Sequence, residues 1–230
     1  MRGMRNSSIK NELASIGIGA MIVFIAMVLV AGIAASVIIQ TSVKLESQSM
    51  STGQGTLSEV STGIAVYGVE AYAASGSDIS KLAILVRPRA GTEEIDLSNC
   101  LLELSNTAKK IILNYTTSFY DDSDGQNDIF SVNVFPDDNY AYGNVSNRDG
   151  SRFGLLVLND PDNSVSATHP IINRGDKVYI CINATGCFNG ISERSDIWGM
   201  VIPEEGSPGA FEFRTPSTYA DTVMELMWDL

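Results

Sequence analysis

Residues Ile16 to Ile39 read IGIGAMIVFIAMVLVAGIAASVII, 24 residues within a 31-residue interval, Leu13 to Val43, that carries no formal charge. As a helix at ~1.5 Å per residue the run spans roughly 36 Å, enough to cross a hydrocarbon layer of about 30 Å. It exceeds the apolar region of an ordinary secretory signal, about 7 to 15 residues. The run is apolar all round and offers no face to water, so it must be buried in lipid or in protein. Fifteen of its side chains are large and apolar. At roughly 1.5 to 3 kcal/mol each, their burial is worth tens of kcal/mol before entropy is subtracted. That excludes a free monomer in water. Gly17, Gly19, Ala20, Ala26, Ala31, Gly32, Ala34 and Ala35 are small enough to let neighbouring helix backbones approach closely, which makes helix packing a second fate beside membrane insertion.

Charge is distributed unevenly around this run. The first fourteen residues carry Arg2, Arg5 and Lys10 against Glu12, a net of +2, whereas the remaining 216 hold 12 basic against 26 acidic residues, or -14. On hydropathy alone this is a single-pass signal anchor with its basic end in the cytoplasm and its acidic body outside. An acidic body lacks the electrostatic footprint of a nucleic-acid binder. A length of 230 residues leaves room for one anchoring segment and one domain of ordinary size, which excludes a large multidomain enzyme.

Beyond the apolar run, Thr41 to Thr62 turns polar and reads as the helix continuing, broken or frayed near Gly53 and Gly55. From Gly63 the pattern changes to short β-branched and aromatic runs between turn residues. These are Ile64 to Tyr72, Leu82 to Val86, Ile111 to Thr116, Ile129 to Phe135, Phe153 to Leu158, Lys177 to Ile182, Ile197 to Ile202 and Ala210 to Phe213. The expected fold is α+β, a long N-terminal hydrophobic helix followed by an all-β sandwich or barrel, Ig-like. The expected divisions are residues 1–14, 15–62 and 63–230.

Gly17 to Val30, followed by Ala34-Ala35 and by Ile39-Gln40-Thr41-Ser42, resembles the N-terminal helix of the archaellins, the filament subunits of the archaeal swimming organelle. Ile172 to Val178 (INRGDKV), Pro203 to Gly209 (PEEGSPG) and Phe213 to Pro216 (FRTP) resemble the closing blocks of that family in the same order. The resemblance covers both ends of the chain and leaves roughly Leu82 to Asp162 least constrained. It implies a helix that sits first in the membrane and then, after removal of a short basic leader, forms the core of a filament. Aligned on Gly17-Ile18-Gly19, the cut falls between Ala14 and Ser15, although the nearest basic residue is Lys10 where the family places one next to a glycine. The fifth residue from Ser15 is Gly19, whereas bacterial type IV pilins carry Glu there, which favours archaellin over pilin.

Other motifs carry less. His169 is the sole histidine, and without a nucleophile-elbow motif it reads as a loop residue and not as part of a triad. Asp122, Asp124 and Asp128 flank Gly125 in a weak match to a calcium loop, lacking an acid at the first position and the terminal Glu; a solvated acidic turn is the better reading and Ca2+ stays open. Arg174-Gly175-Asp176 reads as a turn, not as an adhesion tripeptide. Cys181 and Cys187 enclose five residues and could close a hairpin by a disulfide, with free thiols as the equal alternative. Asn114, Asn144 and Asn183 open three N-glycosylation sequons.

The expected function is a non-enzymatic structural subunit of an extracellular surface filament, inserted in the membrane before assembly. Its helix would pack through Ile18, Ile22, Ile25, Val28, Leu29 and Ile33. The resemblance implies other copies or related archaellins as partners, with a prepilin-type leader peptidase and a membrane assembly platform. N-glycans apart, no cofactor is expected. The alternatives are a membrane-anchored surface binding module and an adhesive type IV-like pilin.

Overall fold

The computed structural model describes residues 3–74, 77–92, 94–136 and 150–228, with side chains from Ser15 onward except those of Ser58 and Trp228. The chain forms two compact units, Met1–Gly55 and Thr56–Leu230. Helix α1 runs uninterrupted from Gly3 to Ser61, 59 residues, a length of roughly 88 Å at ~1.5 Å per residue. The first proline in the chain is Pro88, so nothing in this stretch removes a backbone donor. The break expected near Gly53 and Gly55 does not occur. Each glycine costs a helix about 0.5 to 1 kcal/mol relative to Ala, too little to interrupt so long a run. The chain leaves the helix at Thr62 and Gly63, which are tied to distant loops. The Ser207 N–H donates to Thr62 O at 2.8 Å, and Gly63 N–H to Thr92 Oγ1 at 3.0 Å.

Among the described residues the β domain contains eleven strands: β1 (Ile64–Ala73), β2 (Ile79–Pro88), β3 (Glu94–Asp96), β4 (Leu101–Asn106), β5 (Lys110–Asp122), β6 (Arg152–Asn159), β7 (Ile171–Asn173), β8 (Lys177–Asn183), β9 (Asp196–Ile202), β10 (Gly209–Arg214) and β11 (Val223–Trp228). Nine of them make one sheet in the order β10-β9-β4-β5-β6-β8-β2-β1-β11, antiparallel except for the parallel pair β5 and β6. A parallel bridge from Gly63, just before β1, to Ser207, just before β10, with Ile64 N–H donating to Ser207 O at 3.1 Å, brings β1 beside the β10 edge and curls the sheet into a barrel-like wall. The interior is filled by alternate residues of every strand, including Ile64, Leu82, Ile84, Leu102, Leu104, Leu113, Phe153, Leu155 and Ile180, all essentially inaccessible. The short pair β3 and β7 adds Ile95 and Ile172 to this core.

Ile129–Phe135, expected as a strand, is not one. Asp128 accepts the Phe130 N–H and caps a 3-10 turn over Ile129–Ser131, after which the chain runs as a strap. Phe130, Val132, Val134 and Phe135 pack on the outer face of the sheet against Ala83, Leu85, Leu156, Tyr179 and Cys181. The strap is held close. Lys81 Nζ donates to Phe130 O at 2.6 Å, and a Cβ on Gly154 would stand 1.9 Å from Val134 O, so only glycine fits there. The outer side of β6, β8 and β2 is therefore covered by the chain itself.

Candidate assembly interface

Twenty large apolar side chains between Ile16 and Val60 are 53 to 75% exposed in the isolated chain. Among them Ile18, Ile22, Ile25, Leu29 and Ile33 recur every three or four residues and make one stripe, with Val28 beside it. Ile22, Val23, Ala26, Met27, Val30, Ala31 and Ala34 line a shallow apolar depression in which the three alanines set the floor. Apart from the adjoining backbone of the helix itself, nothing lies within 4 Å of where a Cβ would stand on Gly17, Gly19 or Gly32. Ser15–Ser61 is, among the described residues, the one helical stretch long and apolar enough to cross a membrane. Ala14 and Ser15 are both helical, Ser15 is exposed, and the Ala14 side chain lies outside the described residues.

The weak calcium-loop candidate, Asp122, Asp124 and Asp128, is not where carboxylates converge among the described residues. Asp122 Oδ1 accepts the Asp124 N–H at 3.2 Å and Asp128 caps its turn, so these side chains stabilise local backbone and do not face a common point. These aspartates form the solvated acidic turn that the sequence favoured, since turns that need side-chain caps accumulate aspartates. Instead Asp160, Asp162 and Asp176 each offer an oxygen within 4.8 Å of the others'. Asp160 and Asp162 follow β6, and Asp176 sits in the turn between β7 and β8, where Gly175 takes φ +110°. Asp176 is 1% exposed; its Oδ2 accepts from Asn173 N–H at 2.7 Å, while Oδ1 is buried without a partner among the described residues. Burial raises the Asp176 pKa, opposed by the Asn173 N–H and reinforced by Asp160 and Asp162. Asp162 is held low chiefly by the Asn173 side-chain amide. Because Asp176 is buried, the Arg174-Gly175-Asp176 turn cannot offer its acid to an outside receptor.

Of the two readings left open for Cys181 and Cys187, a bridge or free thiols, the structure has the free thiols. Cys100, Cys181 and Cys187 are all free and buried. Cys181 lies under the strap on the outside of β8, whereas Cys187, in the short helix α2 (Ala184–Phe188), packs into the barrel core, with the sheet between them. Of the sequons, Asn114 is exposed on β5 and Asn144 lies outside the described residues. Asn183 is engaged at both ends of its amide: Oδ1 accepts from Gly186 N–H at 3.1 Å and caps α2, and Nδ2 donates to Pro136 O at 2.8 Å. His169 is an exposed loop residue beside Thr168.

A profile of the archaeal-type flagellins matches residues 14–213. The chain is 42% identical over 220 residues to flagellin B3 of Methanocaldococcus jannaschii, covering 95% of this chain and 97% of that one. It is 38% identical to flagellin B3 of Methanococcus voltae, covering 97% and 100%. The crystal structure of the archaeal flagellin FlaB1 from Methanocaldococcus jannaschii superposes with a TM-score of 0.62 at 32% identity, over 74% of this chain and 99% of that one. The archaeal flagellum of Methanospirillum hungatei shares the fold, with a TM-score of 0.59 at 16% identity over 90% and 98%. The chain belongs to the archaeal-type flagellin family and is a structural filament subunit, not an enzyme.

Proposed function

We propose that this chain polymerises into an extracellular swimming filament with copies of itself or related subunits, and that α1 from Ser15 onward is the filament core. The observation that carries this is the unbroken helix whose twenty large apolar side chains lie exposed in the single chain. Their burial among neighbouring helices is worth tens of kcal/mol before the entropy of association, at roughly 1.5 to 3 kcal/mol each. Gly17, Gly19 and Gly32, with open space around them, let a second backbone come close. Before assembly the same segment is held in the membrane. A prepilin-type leader peptidase removes Met1 to Ala14 and a membrane platform passes the subunit into the filament. N-glycans are carried on the β domain, with Asn114 the freest described acceptor. Electron microscopy of filaments sheared from cells, with mass spectrometry of the mature N-terminus, tests this reading. Filaments containing this chain and beginning at Ser15 are expected, and an intact Met1 to Ala14 in a protein confined to the membrane would refute it.

A second element of function rests on Asp176. We infer that Asp160, Asp162 and Asp176 hold a divalent cation, with Ca2+ the best match to an all-oxygen donor set. The buried, unpartnered Asp176 Oδ1 among three carboxylates supports this. Without a cation that group costs stability; with one, β6, β7 and β8 are tied together at one end of the wall.

A further inference from the structure

From Gly63 onward the chain holds eleven lysines and arginines against 24 aspartates and glutamates, yet four of those eleven cations gather at one place. Arg87, Arg89, Arg174 and Lys177, all exposed, line an open depression of about 560 Å3 at the shared end of β2 and β8. The register brings two of them together. Val86 pairs with Val178, Leu85 with Tyr179 and Ala83 with Cys181, so Arg87 and Lys177, next along these antiparallel strands, stand opposite each other on the outer face. Like charges in that relation destabilise a sheet. Arg89 and Arg174 come from the turns that follow β2 and precede β8. Among the described residues Asp176 is the carboxylate that lines the depression, and it is buried and turned to Asn173 N–H and Ser164 Oγ. None of the four cations is ion-paired among the described residues. Two are nevertheless held in place. The Arg87 guanidinium lies 3.3 Å over the centre of the Tyr67 ring, and Arg89 donates through Nε to Ile64 O at 3.2 Å and through Nη2 to Pro208 O at 3.4 Å. Both keep N–H groups to spare, and guanidinia fixed in advance lose little further freedom on binding.

We propose that this depression binds a phosphate or sulfate group. The planar fork of a guanidinium matches such an oxyanion two hydrogen bonds at a time, and Lys177 adds a point charge. A divalent oxyanion also balances more of the four positive charges than a single carboxylate would. The bound group relieves the repulsion between Arg87 and Lys177 and ties the end of β2 to that of β8. The volume falls within the range of small-molecule sites, about 300 to 1,000 Å3, and leaves room around the oxyanion. The group is therefore either a free ion with water about it or an ester carried on a sugar-sized molecule. All four cations belong to the Thr56–Leu230 unit, and the site depends on neither the packing of α1 nor the cation at Asp176.

The test uses the full-length chain in non-ionic detergent, with titration calorimetry at constant ionic strength. Inorganic phosphate, inorganic sulfate, glucose 6-phosphate and uncharged glucose are the probes. The wild type is expected to bind phosphate and sulfate saturably at millimolar concentrations or below, and glucose not at all. Tighter binding of glucose 6-phosphate would assign the group to a sugar ester, and equal or weaker binding to the free ion. Arg174→Gln with Lys177→Gln is expected to bind about tenfold more weakly or worse. Lys110→Gln with Arg214→Gln removes two charges elsewhere on the domain and should bind as the wild type does. In anion-free buffer the Arg174→Gln, Lys177→Gln protein should melt no lower than the wild type, because repulsion among the cations has been relieved, and this separates lost binding from misfolding. No saturable binding by the wild type, an equal loss in both double variants, or a lower melting temperature of the Arg174→Gln, Lys177→Gln protein without anion would overturn the proposal.

Discussion

Cys181 and Cys187 are six residues apart in sequence yet lie on opposite sides of the same sheet, one beneath the strap and the other in the barrel core. The consequence is chemical. The unreduced, denatured protein should show three alkylatable thiols by mass spectrometry, and a mass two hydrogens lighter would contradict this. In the folded state burial pushes Cys100 and Cys187 up to about 12 and raises Cys181 as well, so labelling at pH 8 should be slow until the chain unfolds.

The same burial sets a direction for alkaline stability. A thiol that ionises near its ordinary value of 9.0 when unfolded, but only at about 12 when folded, contributes fully below pH 9. That contribution is lost as pH climbs from there toward the folded value. Thermal melts should fall over this window, and less steeply in a Cys100→Ser, Cys187→Ser variant. Equal slopes would show that the thiols are not responsible.

Gly154 is the position where the wall is least tolerant. Gly154→Ala would drive a Cβ into Val134 O and Phe119 O. A loss on the order of 3 kcal/mol or more is expected, as for other severe core clashes. Protease cleavage within Ile129–Phe135 should appear before global unfolding, as the strap lifts first.

Asn183 separates glycan from cap. Asn183→Ala should cost about 1 kcal/mol through the lost helix cap, plus whatever is lost at the Pro136 carbonyl. Thr185→Ala destroys the sequon but leaves the cap intact. A protein weakened by the first and unaffected by the second would show that Asn183 acts through its hydrogen bonds.

Cation binding predicts opposite responses of two forms. Calcium at about 100 times its dissociation constant should add roughly 2.7 kcal/mol to the stability of the wild type, or about 5 to 10 °C in melting temperature for a chain of this size. Asp176→Asn should abolish that gain, and in chelator should match or exceed the wild type because an orphaned buried carboxylate has been removed. A melting temperature indifferent to chelator in the wild type would refute the site.

The helix was legible in sequence because Ile16–Ile39 has no polar face, and composition alone decides its burial. Seven of the eight strands expected from β-branched and aromatic runs between turn residues are present. Ile129–Phe135 has the same composition, but composition reports which side chains are buried and says nothing of whether the backbone joins a ladder. Leu101–Asn106 and Val223–Trp228 were passed over because LLELSN and VMELMW hold few β-branched residues and are strands through their neighbours. The acidic cluster was hidden for a different reason. Asp160 and Asp176 are sixteen positions apart and meet only because the β6–β7 connection and the β7–β8 turn end at one place. An aspartate pair at Asp160 and Asp162, followed by a glycine turn bearing a third, was the available signal.

The central claim is that α1 holds the filament together. Counting filaments by electron microscopy on cells whose only flagellin is Ile25→Arg or Val28→Asp tests it most directly. The account predicts none, with subunit still present in the membrane fraction, because an unpaired charge would be buried among packed helices. Filaments of normal number and length from either variant would contradict it.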